Sequence, residues 1–339
     1  MWINELMLQL PVMVAPMAGV SKARLVIASL QNGMLGSLGA GMMSPDAIRQ
    51  SVGEIRAATS KPFNINLFVV NNNPEFDAAC GAAEWLRDYS AKYNYDFAVP
   101  TTYAHSFDEQ FAAALECKPA ILSFTFNIIS QSQLDACHDN GIKVIGTATS
   151  LDEALTWQKL GADAICLQGI EAGGHRGNFL TSNLGIPLAE LVDQVLPEIN
   201  VPVIAAGGIM DGVDAARYLH KGVALVQLGT VFLAAPESEL AEAWVDALKG
   251  NMGNTTTLTP SFSGKHARGI VNRFISESKD KPYFPYPVQN AYTASLRKQA
   301  GERKNSQDMS LWAGTEFPRA RFVPISELAK LLKTEIELS

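Results

Sequence analysis

The chain has 339 residues, a net charge of −7, 47% hydrophobic residues and 18% charged residues. Such a balance describes a globular protein with a large core and excludes a disordered chain. The acidic charge and the lack of any dense Lys/Arg run exclude a general nucleic-acid binder, and no run approaches the roughly 18 apolar residues of a membrane-spanning helix.

The opening stretch 1–11 is apolar in parts. Glu5 and Pro11 interrupt it and no basic leader precedes it, so it is not read as a signal peptide. Short apolar runs of strand length then recur in order: V-M-V-A (12–15), M-L-G-S (34–37), F-N-I-N-L-F (63–68), I-L-S-F (121–124), K-V-I-G-T (143–147), A-I-C-L (164–167), V-P-V-I-A-A (201–206) and A-L-V-Q-L-G (224–229). Helical patterns separate them. In 150–162, Ser150 is an N-cap with Glu153 at capping-box spacing, and Gly161 ends the helix; Asp211 and Gly222 frame 211–222 in the same way.

Eight strand–helix alternations predict an α/β fold, a (β/α)8 TIM barrel, with a doubly wound open sheet as the alternative. Two regions exceed a minimal barrel. Residues 70–107 read as an insertion between the third and fourth strands. Residues 251–339 exceed one closing helix and read as a mainly helical extension over the active site. The expected division is therefore 1–250 and 251–339. Cys80, Cys117, Cys137 and Cys166 lack C-x-x-C spacing and are expected as reduced, mostly buried thiols of a cytoplasmic protein.

Sites in such barrels lie at the C-terminal strand ends. There the sequence places A-P-M-A-G (15–19), Asn64 and Asn66, Gln168, A-A-G-G-I-M-D-G (205–212) and Q-L-G-T (227–230). The loops after strands seven and eight are the fold's usual phosphate site. Gly207 and Gly208 let backbone N–H groups approach an anion, and Thr230 adds a hydroxyl. Neither G-x-x-x-x-G-K-[ST] nor an early G-x-G-x-x-G occurs, so the phosphate of a flavin or sugar fits better than a triphosphate or dinucleotide. Met17 stands where it could pack on a flat ring. In Q-G-I-E-A-G-G-H-R-G-N-F (168–179), four glycines surround His175 just beyond a strand end. His105, His138, His220 and His266 form no metal-ligand pattern, so no metal is expected.

These motifs, in one order with P-Y-P-V-Q-N (285–290) and M-S-L-W-A-G (309–314), resemble the nitronate monooxygenases, formerly 2-nitropropane dioxygenases, and specifically their class I branch. Flavin-dependent enoyl reductases are similar around the glycine-flanked histidine. The resemblance implies FMN held by Asn66, Gln168, Gly173, Gly208, Gln227, Leu228, Gly229 and Thr230, with Met17 near the isoalloxazine and His175 as the active-site histidine. It implies oxidation of alkyl nitronates, of the propionate 3-nitronate type, by dioxygen to a carbonyl compound and nitrite.

His175 would act as a base near neutral pH or, protonated, as an anchor for the anion. Arg176 is a second candidate for holding a carboxylate, or a structural residue. Tyr283, Tyr286 and Tyr292 are candidates to line the entrance. Asn127 stands where the family favours glycine, and Asn tolerates the left-handed backbone such a turn needs. An NAD(P)H-dependent FMN reductase of an enoyl thioester or quinone, and a non-catalytic flavin-binding protein, remain as alternatives. A homodimer is left open.

Overall fold

The computed structural model describes residues 2–180, 184–250, 253 and 255–339. Its strands are β1 (Val12–Val14), β2 (Ser37–Gly39), β3 (Asn64–Phe68), β4 (Ile121–Thr125), β5 (Lys143–Ala148), β6 (Ala164–Gln168), β7 (Gly174–His175), β8 (Val203–Ala206), β9 (Leu225–Leu228), β10 (Thr256–Thr259) and β11 (Ala267–Ile270). Eight of them form one parallel sheet in the order β1-β9-β8-β6-β5-β4-β3-β2. A parallel bridge between Met13 and Leu35 joins its ends, with Leu35 N donating to Val12 O and Val14 N to Leu35 O, both at 2.9 Å. The result is a (β/α)8 barrel. The expected second strand is split: Leu35 makes the closing bridge, and pairing with β3 starts only at Ser37.

The barrel strands are buried at nearly every position, because helices cover their outer faces and side chains fill the lumen. Ile3 and Leu6, in the short turn Trp2–Leu6, pack on lumen residues including Met13, Ile121, Ile145 and Ile204. The opening apolar stretch thus plugs one end of the barrel.

Local signals set the helix ends. Ser150 Oγ accepts from Glu153 N at 3.3 Å, and Gly161 ends the helix Leu151–Leu160 with φ +109°. The expected capping box does not form. The fully buried Glu153 carboxylate turns instead to Thr149 N (2.7 Å), Thr149 Oγ1 (2.8 Å), Phe179 N (2.6 Å) and Leu180 N (3.0 Å). Four donors satisfy a buried charge that a two-bond cap would leave underpaired.

The insertion and much of the 251–339 stretch share a second core. Leu86 and Tyr89 from the insertion pack with Phe262, Phe274, Phe284 and Phe317. Asp308, fully buried, accepts from Tyr89 Oη (2.6 Å), Tyr95 Oη (2.8 Å) and Asn305 Nδ2 (3.0 Å), and pairs with Arg273. Alongside its helices this region contains a hairpin absent from the sequence reading: β10 and β11 are antiparallel, and β11 pairs with β7 through Ala267–His175 and Arg268–Gly174. The helix Ile325–Leu338 does not join that cover. It packs against Gly212–Leu219 and Ala23–Gln31, with Ile325, Leu328 and Leu332 in the barrel's core.

Candidate active site

Parallel strands present alternate side chains to the lumen, and at the C-terminal mouth those side chains meet the loops. Met17, Asn66, Gln168, Gly173, His175, Gly208, Gln227, Gly229 and Thr230 line one cavity there. Leu228 does not. The alternation that turns Gln227 inward turns Leu228 outward, and its side chain, 1% exposed, belongs to the barrel's core.

The loops after β8 and β9 form a cradle. Gly207 and Gly208 have φ of +116° and +71°, a conformation that L side chains rarely adopt. Among the described residues, no acceptor in the chain takes the N–H of Gly208, Gly229 or Thr230. Thr230 Oγ1 accepts from Gly314 N at 3.0 Å, which leaves its own hydrogen to give. Trp244 also lines the cavity, and its Nε1 is buried without a partner. Buried donors are seldom left so; a bound anion with further acceptors is the chemistry that would satisfy them.

On the barrel floor, Asn66 Nδ2 donates to Ser123 O (3.2 Å), Ser123 Oγ (3.0 Å) and Thr125 Oγ1 (3.2 Å). Among the described residues, neither Asn66 Oδ1 nor the Gln227 side chain has a hydrogen-bond partner. Gln168 spans the glycine loop: Nε2 donates to His175 O (3.0 Å) and Oε1 accepts from Gly177 N (2.9 Å). Met17 sits in a turn locked by Ser21, whose Oγ accepts from Met17 N at 2.7 Å.

His175 projects from β7 among rings, with centroids 5.5 Å from Phe126 and Trp312, 5.8 Å from Tyr286 and 6.4 Å from Phe68. Burial, with Lys265 and Arg297 nearby, pushes its pKa down to about 3, so the imidazole is neutral at physiological pH. Its Nε2 lies 2.8 Å from Ser263 Oγ, whose hydroxyl donates to Lys265 O at 3.0 Å. An oxygen that spends its hydrogen on Lys265 can only accept from the ring. In the tautomer where that hydroxyl is given to Lys265 O, the ring donates from Nε2 and Nδ1 carries the free lone pair.

Arg176 is a structural residue. It is fully buried and donates to Leu184 O (2.8 Å), Gly169 O (2.6 Å) and Gln168 O (2.8 Å), stitching the glycine loop to the end of β6. The expected tyrosines do not line the cavity. Tyr283 is exposed, Tyr292 packs on Phe284, and Tyr286 backs His175. The aromatic wall is Phe68, Phe126, Trp244 and Trp312. The left-handed residue in the S-F-T-F-N turn is Phe126 (φ +84°), which stacks on Phe68 at 4.4 Å; Asn127 is exposed.

Sequence reading also missed Arg297, the cation of the cavity wall. All four cysteines are free, and only Cys80 is not buried. Among the described residues no cluster could hold a metal ion, and no helix is long and apolar enough to cross a membrane.

The nitronate monooxygenase family model matches residues 2–335. The chain belongs to the nitronate monooxygenase family. Its members are flavin-dependent oxidoreductases. A "probable nitronate monooxygenase" of Staphylococcus aureus (strain MSSA476) is 36% identical over 321 residues, 93% of this chain and 90% of that protein. Among solved structures, a nitroalkane oxidase from Streptomyces ansochromogenes superposes with TM-score 0.92 at 35% identity, covering 98% of this chain and 97% of that one. FabK from Thermotoga maritima superposes with TM-score 0.77 at 24% identity, covering 99% and 96%, a likeness of fold.

Proposed function

We propose that this member of the nitronate monooxygenase family binds FMN in the cavity and oxidises alkyl nitronates. The observation that carries the reading is one cavity holding both an anion cradle of unpaired N–H groups and a neutral histidine with a free Nδ1. When bound, FMN supplies the oxidation of the nitronate and the reaction with dioxygen that give a carbonyl compound and nitrite.

The N–H groups of Gly208, Gly229 and Thr230, with the Thr230 hydroxyl, would hold the phosphate. Asn66, Gln168, Gln227 and Gly173 would border the rest of the cofactor, and Met17 the ring. The single cradle, with no adenosine motif in the sequence, favours FMN over FAD. Phe126, Trp312 and Phe68 keep water from His175. As a neutral base, His175 would take the α-proton of a nitroalkane at Nδ1, a step a preformed nitronate does not need. The expected division into a barrel, 1–250, and a cover, 251–339, fits this use in part, since the second core shared by the insertion and much of 251–339 would roof the cofactor while Ile325–Leu338 stays with the barrel. The free thiols fit a reducing cytoplasm.

Anaerobic mixing of the FMN-loaded protein with an alkyl nitronate, a nitroalkane and NADH tests this. The nitronate is expected to bleach the flavin, and NADH to leave it yellow. His175→Asn should lose about 10²–10⁴-fold on the nitroalkane and little on the nitronate. Bleaching by NADH alone would establish a reductase instead. Equal rates of wild type and variant on both nitro compounds would remove His175 from the chemistry.

A further inference from the structure

Beyond its charge near His175, Arg297 has no part in the site as described so far, yet its placement is costly. It lines the cavity, and burial pushes its pKa down to about 10, so the protein pays to keep this cation out of water. It forms no ion pair among the described residues. Its hydrogen bonds go to neutral acceptors: Nε to Thr293 Oγ1 (3.2 Å), and Nη2 to Asn290 O (2.7 Å) and Asn290 Oδ1 (2.8 Å). Among the described residues Nη1 has no partner.

Thr293 is itself fully buried and anchored by its hydroxyl to Phe262 O at 2.5 Å. The guanidinium is thus held through Nε and Nη2, and the two hydrogens of Nη1 remain to be given. The cavity's carboxylate, Glu316, is turned to Arg319 at 3.7 Å. A half-buried cation with no counter-charge among the described residues, fixed in orientation and lining a cavity, is fitted to bind an anion.

We infer that Arg297 is the specificity-determining residue of this site, binding a substrate anion through Nη1 and its charge and selecting it over neutral molecules of the same shape. A nitronate is isoelectronic with a carboxylate and carries its negative charge on the same two oxygens, so an N–H of a cation makes a charge-assisted hydrogen bond to it as it would to a carboxylate. The inference rests on the reading of the cavity as a flavin–nitronate site and adds what that reading leaves open: which group recognises the charge. Neutral His175 cannot do so, whereas Arg297 stays cationic across the physiological range.

The test uses the FMN-loaded protein, whose phosphate cradle is filled, and a pair of inert probes, butanoate and butanamide. Binding is read from flavin absorbance and tryptophan fluorescence. Wild type is expected to bind butanoate more tightly than butanamide. Arg297→Met should weaken butanoate about 10- to 100-fold, with butanamide unchanged. The KM for an alkyl nitronate should rise by a similar factor. Arg297→Lys, which keeps the charge but not the bonds to Asn290 and Thr293 that fix the donor's position, should fall between, and thermal melting confirms that both variants fold.

Equal affinity of wild type for the two probes, or an undiminished butanoate preference in a folded Arg297→Met, would overturn the inference. A preserved, Arg297-dependent preference together with no nitronate turnover would refute the function proposed above and leave the anion subsite standing.

Discussion

Burial against aromatic rings, with Lys265 and Arg297 nearby, holds His175 uncharged with a pKa of about 3. Unfolding releases that restraint, and the exposed imidazole takes up a proton near pH 6.5. Between about pH 6.5 and 3 the unfolded chain therefore binds more protons than the native one, so this group's contribution to stability falls as the pH drops through that window. The slope for a single site is at most about 1.4 kcal/mol per pH unit. His175→Asn should accordingly lose less stability than wild type between pH 7 and pH 5, compared by denaturant midpoints in FMN-free protein. Parallel losses would assign the acid response to other groups. At this scale the sequence was informative about His175, because four glycines mark its loop, and uninformative about Arg297. That residue lies in an ordinary helical pattern, and its meaning comes from what it faces. For Arg176 the sequence left two readings open, a carboxylate anchor or a structural residue, and its three bonds to backbone carbonyls fit the second.

Strands and helices of the barrel could be read from apolar runs punctuated by caps, since each carries its own periodicity. β7 could not. It is two residues long, and its partner β11 lies far along the chain, so no local pattern announces it. Its neighbour Gly173 shows what the pairing demands. A Cβ there would lie 2.5 Å from Ala313 C and Gly314 N, both backbone atoms with little room to yield. The glycine is needed for the cover to close on the loop, whatever the cofactor requires. Gly173→Ala is expected to cost about 1–3 kcal/mol through overpacking and to speed amide exchange in β7 and β11 relative to β4 and β5. Exchange unchanged in all four strands would mean that the 309–314 segment shifts freely and that the contact is unimportant.

In the whole molecule, the cover and the barrel are interleaved along the chain. The strand β9 is followed by the four-residue helix Thr230–Leu233, then by the cover, and only afterwards by Ile325–Leu338, which fills the place of the missing outer helix. Ile325, Leu328 and Leu332 are each 0% exposed. Burying a side chain of that size contributes about 1.5–3 kcal/mol. Three of them approach the roughly 5–15 kcal/mol that keeps a protein folded. A chain ended at Pro324 should therefore lose its cooperative melting transition, not merely its activity; a soluble, two-state truncation that still melts near wild type would show the helix to be an accessory. The same order of elements has a meaning on the ribosome. At about 5–20 residues per second, the barrel strands have all emerged several seconds before the helix that seals the seam between Ala23–Gln31 and Gly212–Leu219. During that interval the nascent barrel would present an apolar groove to solvent, so the seam is where a chaperone would find this chain.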